Sequence, residues 1–139
     1  MPWTENPALR ALLLAKAALA EKAGAEEAAA FLREKLGEAG SGNKWPGLPN
    51  TSSAVGSYPV EQSGKLLASI DAQPSGQFWA FGSFNAPPEA WALEYPSPPG
   101  SPITRQSEHG ARPWLSKAMS DVDMRERVFQ KMWEVMKHA

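Results

Sequence analysis

Ser63-Gly64-Lys65-Leu66-Leu67-Ala68-Ser69-Ile70 opens the stretch on which the fold turns, and Gly110-Ala111-Arg112-Pro113-Trp114-Leu115 closes it. Between them lie short apolar runs separated by turn residues. Lys65 to Asp71 alternates weakly, with Leu66, Ala68 and Ile70 on one face, and reads as a strand. Gln73-Pro74-Ser75-Gly76 carries a turn signal, and Gln77 to Phe84 alternates again, with Trp79, Phe81 and Ser83 on one side. Together these predict a β-hairpin. Asn85-Ala86-Pro87-Pro88 turns once more, and Glu89 to Tyr95 fits a third strand or a short helix.

Outward from this centre the patterns are helical. Asn6 can cap a helix, and Pro7 suits its first position because the missing N–H would be unpaired there anyway. Leu9, Leu12, Leu13, Lys16, Ala17, Leu19, Ala20 and Ala23 then recur at helical spacing, with Lys16 able to snorkel. Gly24 weakens the run by roughly 1 kcal/mol relative to alanine and marks a site for a kink. Ala28, Phe31, Leu32 and Leu36 resume it, and Gly37 is placed for a left-handed cap. On the other side, Leu115, Ala118, Met119, Val122, Phe129, Met132, Trp133 and Met136 predict a second helix. Val128 and Val135 widen its apolar face, and Ser120 with Asp123 resembles a capping pair at which it can break.

The expected fold is α+β: a small antiparallel sheet packed by a long N-terminal helix and a C-terminal helix. Two long irregular segments complete it, residues 39–63 and 96–111, within a single domain. Trp45, Leu48, Val55 and Tyr58 are spaced through the first segment, where they either dock it on its own domain or reach a neighbouring subunit. Prolines 96, 98, 99 and 102 favour an extended arm in the second.

Composition narrows the function classes. At 139 residues the chain is one domain's worth. With no cysteine, disulfide frameworks, thiol catalysis and cysteine-ligated zinc are excluded. A net charge of −1 argues against a surface that coats nucleic acid. No run approaches the roughly 18 apolar residues of a membrane span, and no basic cluster leads the first apolar stretch as in a signal peptide. A soluble protein folded in a reducing cytoplasm is expected.

Chemistry-bearing motifs are sparse. His109 and His138 lack metal-ligand spacing to another ligand, and no metal or cofactor is expected. Asp71, Glu89, Glu94 and Glu108 are too scattered for acid–base work. Ser63-Gly64-Lys65 lacks the earlier glycine of a phosphate loop and has serine before lysine. The six tryptophans suit core and subunit interface better than a stacking platform, with Trp45 and Trp91 the least explained by a core. Arg112 stands where an extended arm meets a helix and could bind loop carbonyls, Glu94 or Glu108 bidentately.

Taken in order, these residues resemble the tail-completion (neck, head–tail joining) proteins of long-tailed bacteriophages. Pro59 is followed by Ser63-Gly64-Lys65-Leu66-Leu67-Ala68-Ser69-Ile70, and Ala80-Phe81-Gly82-Ser83 matches the strand that ends in glycine-serine. Trp91-Ala92-Leu93-Glu94-Tyr95 stands where the aromatic-alanine and glutamate belong. Ala111-Arg112-Pro113-Trp114-Leu115, then Ala118, matches the closing motif. Pro96 departs from the family's usual glycine, and the 40–62 segment is longer than usual.

The resemblance implies a structural virion protein without enzymatic activity, forming a homo-oligomeric ring, a hexamer, in the neck. Such a ring joins the DNA-filled head to the tail, with double-stranded DNA passing non-specifically through its lumen. It is assembled in the host cytoplasm. Its implied partners are other copies of itself, a head-closure or connector protein, and a tail terminator or tail tube, with no membrane. A tail terminator capping the tube is the close alternative, and a tryptophan-based binding module a more distant one. Candidate interface or structural positions are Trp45, Tyr58, Gly64, Leu66, Ser69, Ile70, Trp91, Glu94, Arg112, Pro113, Trp114 and Leu115.

Overall fold

The computed structural model describes residues 6–38, 50, 57–60, 64–85, 87, 90 and 114–138. Among the described residues four helices and one hairpin make an α+β fold: α1 (Pro7–Leu36), α2 (Lys65–Ser69), β1 (Ile70–Ser75), β2 (Phe78–Ser83), α3 (Leu115–Ser120) and α4 (Val122–Lys137). Of the two predicted irregular segments, 96–111 lies outside the described residues, as does 39–63 apart from residues 50 and 57–60.

α1 starts as its sequence dictates. The Asn6 Oδ1 accepts from the N–H groups of Ala8 and Leu9 at 3.1 and 3.2 Å, and Pro7 occupies the first turn. At 30 residues the helix runs about 45 Å. Gly24 does not end it. A Cβ built there would meet the Met132 Cγ and Sδ at 2.9 Å, so Gly24 is where α4 comes close to α1. Gly37 is right-handed (φ −88°) rather than left-handed: its N–H continues the helical pattern to Arg33 O at 3.0 Å, and Glu38 N–H donates to Lys35 O.

The hairpin forms as predicted, but its first limb is shorter and its tip lies further on. Residues 65–69 are helix, not strand. Gly64, at φ +79°, turns the chain into α2, and Ala68 N–H donates to Gly64 O. Leu66 and Ile70 are both buried and four apart, a helical spacing that also passes for alternation. Ala68, predicted on their face, is exposed. β1 then pairs antiparallel with β2, from Ile70↔Ser83 to Ser75↔Phe78. Gly76, at φ +60°, takes the first central position of the two-residue turn. Pro74 lies in the strand opposite Trp79, since both strands of a two-stranded sheet are edges and edges tolerate proline.

The break between the last helices falls at Asp121, whose Oδ1 accepts from the N–H of Asp123 and Met124. Ser120, expected to cap, instead turns its hydroxyl back to the carbonyls of Ser116 and Lys117. The core lies between the second half of α1, the hairpin, α2 and α3. Ala29, Leu32, Leu36, Leu66, Ile70, Ala90, Trp114 and Ala118 fill it. A second cluster of Ala28, Phe31 and Met124 seals α1 against α4, and Tyr58 and Phe81 touch both clusters.

Candidate assembly surface

The motif positions meet in one place. Leu66, Ile70, Trp114 and Ala118 belong to the same buried cluster, and Leu115 packs against it. The Trp114 Nε1–H donates to Ala90 O at 2.8 Å, tying the closing motif to the segment after the hairpin. At the junction of α2 and β1, Ser69 Oγ donates to Leu66 O at 2.6 Å and shares a 2.5 Å hydrogen bond with Ser83 Oγ. Phe84 N–H donates to Ser69 O, and the Arg33 guanidinium donates twice to Ile70 O, at 3.0 and 2.6 Å. The hydroxyls of Ser69, which closes α2, and Ser83, which ends β2, thus tie the two elements together, and Arg33, on α1, completes the knot. Nothing local in the sequence singles out Arg33, because its partners lie 37 residues away. Trp45, Trp91, Glu94, Arg112 and Pro113 fall outside the described residues.

Tyr58 packs on its own chain. Its ring meets Phe31 edge-on at 6.3 Å, lies under the Lys117 ammonium at 5.2 Å, and its hydroxyl donates to Asp121 Oδ2 at 2.9 Å. Burial, followed by the bond to Asp121 and its charge, pushes the Tyr58 phenol well above its ordinary range. Partial burial pushes the Asp121 carboxyl up. The bonds from Tyr58, Met124 N–H and Asp123 N–H together outweigh that and hold it below the usual carboxylate value.

α1 and α4 are also joined by charge. The Arg127 Nε donates to Glu27 Oε1 at 2.9 Å, its Nη groups bind Glu34, and its guanidinium lies 5.3 Å over the Phe31 ring. The bond from Arg127 holds the Glu34 carboxyl below its ordinary value. Near the end of α4, the Lys16 Nζ donates to Met136 O at 3.3 Å. That contact supplies a cation to a helix C-terminus and marks where α4 stops covering α1.

The depression beside the hairpin, lined by Arg33, Ser69, Ile70, Asp71, Gln73 and Asn85, is open. Its polar groups satisfy one another: Arg33 binds Ile70 O and Asp71, and Asp71 accepts from Ala72 N–H and Gln73. They do not converge on a point where a substrate atom could sit. Among the described residues, no group of three His, Asp or Glu side chains is placed to hold a metal ion.

What stands out is uncovered apolar surface. The buried residues of α1 begin only at Ala20. Before it, Leu9, Leu12, Leu13, Leu14 and Leu19 are all exposed, and Leu14 is 60% exposed. On α4, Met124 is buried and Val128 packs toward α1, while Val122, Phe129 and Trp133 face solvent. The stripe predicted as the core face of the last helix is therefore split: Leu115, Ala118 and Met132 turn inward, whereas Met119, Val122, Phe129 and Trp133 face out. Val128, read as merely widening that face, packs toward α1. Two apolar stripes on one helix look alike in sequence, and the covered one is that which meets Gly24, Ala28 and Phe31 of α1. No helix among the described residues is long and apolar enough to cross a membrane.

Comparison with known protein families, curated proteins and solved structures finds no match to this chain.

Proposed function

We propose that this chain is a structural assembly protein that forms a homo-oligomeric ring in the neck of a long-tailed bacteriophage. The ring joins the DNA-filled head to the tail and lets DNA pass through its lumen. Its work is assembly, and no residue is assigned a catalytic role. The observation that carries the reading is the meeting of the motif blocks. Gly64-to-Ile70, Gly82-Ser83 and Trp114-to-Ala118, which bear the resemblance, pack around one core and one hydrogen-bonded junction. Those residue types thus have a shared structural reason for their order and spacing. The exposed leucines and aromatics add support, since a chain that acts alone gains nothing from leaving them in water.

A cyclic ring needs two different surfaces on each subunit, because each neighbour is gripped head to tail. A near-neutral chain also suits a lumen through which DNA must slide, since dense phosphate neutralisation means tight binding. On this reading the partners are a connector or head-closure protein on one side and a tail terminator or tail tube on the other.

The test is electron microscopy of particles made when the gene is deleted from the genome that carries it. Full heads beside separate tails of normal length are the expected result. Overlong tails would move the assignment to tail termination. Normally joined particles would overturn the neck reading.

A further inference from the structure

The first 13 residues of α1, Pro7 to Leu19, hold five leucines and two charged residues, Arg10 and Lys16. At about 100° per residue Leu9, Leu12, Leu13 and Leu19 share an arc of about 120°, and Leu14 lies about 100° beyond it. Apart from Pro7, Arg10 and Lys16 the rest is alanine, so this half of α1 has no continuous polar face to give to water. A helix that is apolar all round is stable when buried. In this chain it is not: each of those leucines is 49–60% exposed. α4, the helix packed along α1, ends beside Lys16, leaving the preceding turns to project beyond it.

We propose that this overhang docks along the outer stripe of α4 in a second copy of this chain, and that a chain of such contacts builds the assembly. The proposal rests on the self-association part of the neck reading. Three observations select a second copy as the occupant. The chain exposes two unlike apolar surfaces, the leucine overhang and the α4 stripe Val122, Phe129 and Trp133, as a head-to-tail contact requires. Their lengths are comparable: the turns before Lys16 span about 14 Å, and Val122 to Trp133 about 17 Å, at 1.5 Å per residue.

The areas agree as well. Phe129 and Trp133, at 66% and 57% exposure, leave roughly 200–300 Å² uncovered, taking about 150–250 Å² per aromatic side chain. Half-exposed leucines add on the order of 50–100 Å² each. The sum, about 600 Å², is most of the apolar share, roughly 900 Å², of a standard 1,600 Å² interface. Charge does not oppose the pairing: Glu126 lies inside the α4 stripe, opposite in sign to Arg10 and Lys16 of the overhang.

The absence of cysteine makes the test clean. Leu12→Cys and Leu14→Cys place single thiols on two sides of the overhang, and Phe129→Cys places one on the α4 stripe. Each overhang variant is mixed with the Phe129→Cys variant, and a short bismaleimide is added. Sedimentation velocity of the unmodified protein is run in parallel. A dimer-sized product from at least one mixed pair, well above the yield of either variant alone, is the expected result. Leu14→Glu is expected to weaken self-association at least tenfold in sedimentation, with the same far-ultraviolet circular dichroism and melting temperature as the parent.

Oligomers that form without mixed cross-links, and that survive Leu14→Glu, would overturn the docking proposal and leave the ring reading standing. A monomer throughout, with no cross-link, would overturn the docking contact. The neck assignment would then stand or fall on the particles of the deletion.

Discussion

Gly24 separates two readings of a glycine inside a helix. By propensity it is a weak point, and alanine would be better by about 1 kcal/mol. By packing it is a contact, since a Cβ would press on Met132, the end of a flexible side chain, and come within 3.3 Å of Val128. The two effects are similar in size and opposite in sign. Gly24→Ala is expected to unfold within about 1 kcal/mol of the parent in urea, whereas Gly24→Leu, with no room to take it, loses about 1–3 kcal/mol.

Tyr58→Phe tests a second single-residue contact. It removes one hydrogen bond to a partly exposed carboxylate and is expected to cost about 1 kcal/mol. Tyr58 also ionises late. In an alkaline absorbance titration, Tyr58→Phe should remove the tyrosine that titrates above the ordinary range of about pH 10. Local signals were legible at this scale where the partner is near in sequence, as with Asn6 capping α1. They were not where two adjacent candidates compete. Ser120 and Asp121 both suit a cap, and Asp121 takes it because Tyr58, 63 residues away, holds the carboxylate from the other side.

At the scale of elements, α1 is two helices in one. Its second half is held by the sheet and α4, while the leucines of its first half stay exposed. Alanine–leucine periodicity shows that a helix forms, but not which half is covered, because coverage depends on where α4 ends. The same limit explains residues 65–69, where a pair of apolar residues four apart serves a helix entering a strand. The hairpin itself was readable because its turn glycine is local.

The α1–α4 pairing predicts a pH dependence. Glu34 and Asp121 have carboxyls held below their ordinary values by Arg127 and by the Tyr58 and backbone bonds, respectively. Both favour the folded state fully above their unfolded pKa values of about 4. That stabilisation is lost as pH falls through the lower folded values. The urea midpoint is expected to be level from pH 7 to 5 and to fall below about pH 4. A double variant, Glu34→Gln with Asp121→Asn, should show a shallower fall. Arg127→Ala is expected to cost about 1–2 kcal/mol, since it leaves Glu27 partly buried beside an uncompensated partner, more than an exposed pair is worth.

At the scale of the whole molecule, the described core is small and sits at one end of α1. Leucines cover the other end and aromatics the back of α4. The α+β class was legible because helical and strand periodicities are properties of short windows. The exposed apolar surface was not, because exposed and buried apolar stripes have the same composition. The signal that could have found it is the lack of any acidic residue from Pro7 to Ala20, a stretch that after its proline is leucine and alanine broken only by Arg10 and Lys16.

The central claim is that this chain joins heads to tails by assembling through that surface. Its most direct test supplies Leu14→Glu in place of the parent chain to a genome lacking the gene and counts joined particles by electron microscopy. The account predicts that the parent chain restores joined particles, while the folded Leu14→Glu chain leaves full heads beside tails of normal length. Joined particles at the parental frequency with Leu14→Glu would contradict it.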